Sequence, residues 1–195
     1  LRSPLCSWPR EQLGSRGEQQ MAKRALCVGC NYPNNGISLS GAVNDAFLLA
    51  DCLHKHYGFE PEDIRILHDL YPGQSRSSRH LVDQSHRPTR VNILRDLRDL
   101  VRGAQPGDVL FFSFSGFGVQ VDDLSAPQNE GLDDAILPTD FAEGGAGTCS
   151  VICSSDIHDI LMGVPNGCTV TVIMDCDHGA SVIDVSGTLE GKLND

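Results

Sequence analysis

The chain has 195 residues, of which 40% are hydrophobic and 21% charged, which suits one domain with a buried core and excludes a disordered or membrane-embedded protein. No apolar run approaches the roughly 20 residues of a membrane helix. A net charge of −11 argues against nucleic acid, whose binders carry basic stripes, and is compatible with basic peptides or cations. The eight cysteines are too sparse for a disulfide scaffold, so free buried thiols in a reducing, cytoplasmic compartment fit best. Cys27 and Cys30 form a lone CxxC with no second pair to complete a zinc site.

Residues 1–21 are rich in Pro, Gly, Gln, Arg and Ser without periodicity and read as a disordered leader. They lack the apolar core of a signal peptide, and Met21-Ala22-Lys23-Arg24 reads as a natural start. A first strand runs from Arg24 to Gly29 and enters an Asn-, Pro- and Gly-rich turn. Ser40 is expected to cap a helix over 41–57, with Val43, Phe47, Leu48 and Leu53 as its apolar stripe and Gly58 as its stop. Ile64 to Leu67 makes a second strand, and 70–88 reads as a mobile loop. Thr89 caps the next helix, lined by Val91, Leu94, Leu97 and Val101 and ended by Gly103. A strand at Asp108–Phe114, a long loop over 115–133 and a short strand at Ala135–Pro138 follow. Ser154 or Ser155 is expected to cap a helix through Met162, and Pro165-Asn166-Gly167 turns into a last strand beginning at Thr169. This β-α-β-α-β-(β)-α-β order predicts an α/β fold with a mainly parallel sheet and helices on both faces.

Chemistry in such folds gathers at the carboxyl ends of strands. Two endings stand out: Ser115-Gly116-Phe117-Gly118 and Asp175-Cys176-Asp177-His178. Period-two geometry points Asp175 and Asp177 the same way and sends Cys176 to the opposite face.

These residues carry a family resemblance. Lys23 to Pro33 followed by Leu39-Ser40-Gly41-Ala42-Val43-Asn44-Asp45, Pro106-Gly107-Asp108, Ser115 to Gly118, Gly131-Leu132-Asp133-Asp134, Leu137 to Phe141 and Asp175 to Asp184 resemble, in order and spacing, a metacaspase of the plant and algal kind. The resemblance implies a caspase-like three-layer αβα sandwich, with 22–187 as the large (p20) part and 188–195 as a tail or the start of a linker. The small (p10) part, which contributes further strands, is expected to lie outside this sequence. An uncovered sheet edge would then favour dimerisation or a partner.

The family's activity is cysteine peptidase cleavage after Arg or Lys, usually with calcium. It needs a thiolate and an imidazole that makes it and protonates the leaving amine. The position matching the family's His is Phe117, and the one matching its Cys is Asp177. Neither side chain can perform that role, so a catalytically inactive homologue is expected. The alternative is an active Arg/Lys-directed endopeptidase using a displaced Cys176. By the same resemblance the pocket for a basic side chain uses Asp45, Ser115 and Asp175, all present, and carboxylates in a shielded cleft suit a guanidinium or ammonium. The expected partner is a basic peptide segment or a related active metacaspase. Calcium would fall at Asp133, Asp184, Ser154 and Ser155, a site weakened by its two serines, so no cofactor is expected to be held firmly.

Overall fold

The computed structural model describes residues 21–33, 36–73, 82–122, 131–142 and 150–177. Residues 1–20 of the expected leader, His178, Asp184 and the expected tail lie outside them. The elements are β1 (Lys23–Gly29), α1 (Ala42–Tyr57), β2 (Ile64–His68), α2 (Arg90–Val101), β3 (Val109–Ser115), β4 (Gly118–Asp122), β5 (Leu132–Ile136), β6 (Ile152–Cys153), α3 (Ser154–Leu161) and β7 (Thr169–Asp175).

β1, an apolar run buried over its last five residues, sits inside a four-stranded sheet of order β2-β1-β3-β7. All three pairings are parallel, and the two central strands, β1 and β3, are buried over most of their length, as parallel sheets usually are. Alternation along the strands makes two cores. Leu26 and Val28 of β1 with Leu110, Phe112 and Phe114 of β3 meet Ile93, Leu97 and Leu100 of α2 and Ile157 and Leu161 of α3. Ala25, Cys27 and Phe111 meet Ala46, Ala50 and Leu53 of α1 on the other face. The result is three layers, αβα. Each fully buried Leu, Ile or Phe contributes about 1.5–3 kcal/mol relative to an exposed one.

Several expectations need correction. Gly41, not Ser40, occupies the N-cap of α1, and no side chain caps it. Small Ala46 and Ala50 face the sheet while Leu48 is 65% exposed, because a helix lying close to a sheet takes alanine where leucine would not fit. The approach is tight at its start: a Cβ on Gly29 would lie 2.6 Å from the Ala42 carbonyl oxygen. Gly58 ends the helix at φ 68°, as expected. In α2 the buried face is Ile93, Leu94, Leu97 and Leu100, and Val91 is 71% exposed. The Thr89 side chain does cap α2, accepting from Asn92 N at 3.3 Å, and Asp140 Oδ1 accepts from Arg90 N at 2.8 Å.

The segment read as one long loop after β3 holds β4, which pairs antiparallel with β5; β5 pairs in turn with β6 in a second, three-stranded sheet. Within 70–88, a 3-10 turn at Gln84–His86 is tied down by Arg65. That guanidinium donates to Ser85 O at 2.6 Å and to Asp96 Oδ2 at 3.0 Å, joining β2, this turn and α2 in a buried ion pair. Cys153 occupies the N-cap of α3 and offers no side-chain bond, so neither Ser154 nor Ser155 caps it.

Candidate functional site

The parallel sheet brings β1, β3 and β7 to a common carboxyl edge, where Gly29, Ser115 and Asp175 stand in register. Above it opens a cleft of about 460 Å³ lined by Leu39 to Ala42 and Asp45 on one side and by Gly116, Phe117, Asp175, Cys176 and Asp177 on the other. Asp45, in the first turn of α1, lies where a carboxylate complements the helix dipole. No Lys, Arg or His among the described residues lines the cleft. Among the described residues the carboxylates of Asp45, Asp175 and Asp177 make no hydrogen bond or ion pair.

One turn builds both walls. Residues 30–32 follow β1: Cys30 N donates to Ser115 O at 3.0 Å, and Asn31 O accepts from Leu39 N at 3.0 Å. Asn31 Oδ1 accepts from Val43 N at 3.2 Å, fixing the start of α1. Tyr32, fully buried at φ 53°, holds the opposite wall. Its hydroxyl donates to Leu137 O at 2.7 Å and accepts from Phe117 N at 2.9 Å, and its ring lies 5.1 Å from that of Phe117. A left-handed backbone at a bulky residue is costly. Here Asp69 holds it, accepting from Asn31 N at 2.9 Å and Tyr32 N at 2.7 Å. Burial pushes the Asp69 carboxyl up, against the pull of these amides.

Asp45 and Asp175 therefore share one cleft, and Asp177 joins them. Ser115 does not line it: the residue is 1% exposed, beneath the cleft floor. β7 ends at Asp175, and Cys176 stands at the bend that follows, bordering the cleft with both neighbours while packing against the core of Leu26, Val28 and Phe114. Its thiol is pushed up to about 11, first by burial and then by Asp175, Asp177 and Asp134. A thiol shifted in this direction forms less thiolate at neutral pH than a free cysteine does. The backbones crowd here: a Cβ on Gly118 would collide with the Asp177 carbonyl oxygen. Cys27 and Cys30 are buried free thiols, both pushed up by burial, which marks them as inert packing. Sequence reasoning missed Tyr32 and Asp69, for no local pattern announces a tyrosine bridge spanning 105 positions to Leu137.

This layering, with an acidic cleft at the carboxyl edge of β1, β3 and β7, defines a caspase-like α/β protein. The same fold is found in protein GSU0716 from Geobacter sulfurreducens, whose crystal structure superposes with a TM-score of 0.57 at 20% identity, over 80% of this chain and 50% of that one. The model of the metacaspase, peptidase C14 domain matches residues 23–186. The chain is 38% identical to Metacaspase-1 of Cryptococcus neoformans over 164 residues, 84% of this chain and 33% of that protein. It is 36% identical to Metacaspase-7 of Arabidopsis thaliana over 166 residues, 84% of this chain and 36% of that protein. The chain belongs to the metacaspase family. It spans about a third of the length of these relatives. Among the described residues no helix is long and apolar enough to cross a membrane.

Proposed function

We propose that the chain is a metacaspase homologue that binds without cutting, its cleft receiving an Arg or Lys side chain from a basic peptide segment or a related active metacaspase. The observation that carries this reading is the cleft itself: its carboxylates at Asp45, Asp175 and Asp177 have no cation among the described residues. A guanidinium or ammonium supplies the missing charge, and its desolvated pairing with carboxylates is stronger than a neutral hydrogen bond. Phe117 carries no titratable proton, and among the described residues no imidazole lines the cleft beside the Cys176 thiol, which is pushed up to about 11.

Calorimetry with an Arg-terminated peptide tests the binding. The wild-type protein gives a saturable heat that Asp45→Asn weakens about tenfold or more; equal heats for the two proteins remove the claim. A second reading, an Arg/Lys-directed endopeptidase using Cys176, draws on the placement of that thiol in the cleft. Turnover of a fluorogenic Arg peptide that disappears in Cys176→Ala would replace the first reading with this one.

A further inference from the structure

Asp133 stands two residues before Ala135, which pairs with Cys153, so the β5–β6 register carries its carboxylate to the first turn of α3. There Ser154 Oγ donates to its Oδ1, and Ser155 Oγ donates to its Oδ2 at 3.4 Å. Asp156, the next carboxylate along α3, is taken by Arg90 Nη2 at 3.0 Å, and Arg90 Nε reaches back to Val151 O at 2.8 Å.

This is where the family resemblance places calcium. The ion takes six to eight hard oxygens, and its affinity follows the number of carboxylates among them. The described residues there, one carboxylate and two hydroxyls, do not fit it. Each oxygen of Asp133 accepts a serine proton, and the two hydroxyls stand where a calcium site would need further carboxylates. Among the described residues no three His, Cys, Asp or Glu side chains gather as a metal site.

We infer that Asp133, Ser154 and Ser155 form a hydrogen-bonded clasp that joins β5 to α3 without any divalent ion. A carboxylate beside a helix N-terminus is favourable in itself, and Cys153 at the N-cap supplies no side-chain bond of its own. The antiparallel sheet and α3 therefore stay joined at every calcium concentration. This assignment stands independently of what the cleft binds.

The test uses the 195-residue protein with calcium chloride or a chelator. Wild-type melting curves coincide in the two buffers, and calorimetry with calcium shows no saturable heat. Replacing both serines by alanine lowers Tm by about 2–4 °C in either buffer. Ser154→Asp with Ser155→Asp melts lower in chelator, from like-charge crowding, and regains stability with calcium. Saturable calcium heat in the wild type that Asp133→Asn abolishes would overturn the inference. So would an alanine pair that melts with the wild type, and these two measurements decide even if the aspartate pair fails to fold.

Discussion

Tyr32 shows how a single residue can set a cleft it does not line. Its hydroxyl satisfies a buried amide at Phe117 and a carbonyl at Leu137, while its backbone amide leans on Asp69. Tyr32→Phe keeps the ring and removes only the bridge, leaving both groups unpaired. The expected cost is about 1–3 kcal/mol, read as a lower urea midpoint at unchanged slope. A wild-type midpoint would mean that water or a backbone shift replaces the hydroxyl. The carboxylates at 45 and 175 were legible because they sit beside recognisable motifs. So was Asp177, which period-two spacing sets on the same side as Asp175; Asp69 was not, for it lies 37 positions from the amide it holds.

At the level of elements, the sequence located the helices and the parallel strands, and it placed Val43, Leu53, Leu94 and Leu97 inward correctly but Leu48 and Val91 wrongly. Periodicity marks an apolar stripe without fixing its rotation; packing fixes that, and in α2 it turned Val91 outward and Ile93 and Leu100 inward. The difference is measurable. Leu97→Ala, at a fully buried position, is expected to cost about 2–5 kcal/mol. Val91→Ala, on the exposed side, is expected to stay within about 0.5 kcal/mol. Comparable losses for the two would mean that the stripe lies where periodicity alone puts it. The β4–β5 hairpin escaped notice for another reason. Val119 and Val121 alternate with Gln120 and Asp122 in a short run, and its pairing with β5 is a tertiary fact that no local signal carries.

For the whole molecule, the parallel order and the two helix layers followed from the alternation of strand and helix patterns. The second sheet, folded against one end, did not. Family membership names a peptidase family, while among the described residues the cleft is lined by carboxylates and a thiol whose pKa is pushed up by burial. The joint between the second sheet and α3 is likewise made by hydroxyls.

The position of β7 bears on how the protein behaves in a tube. It is the last strand of the four-stranded sheet, and from Thr169 to Met174 it carries no charge, no proline and mostly β-branched side chains, with Val170 37% and Ile173 38% exposed. Strand edges of this composition are templates for sticking to other strands, and proteins ordinarily blunt them with lysine or proline. Light scattering that grows with protein concentration is therefore expected at neutral pH. Ile173→Lys, which adds charge on an exposed face, is expected to suppress it while leaving the melting temperature within about 2 °C. Equal scattering by both proteins would place the sticky surface elsewhere. On this expectation six uncharged residues along one border, rather than average composition, decide how readily the chain self-associates.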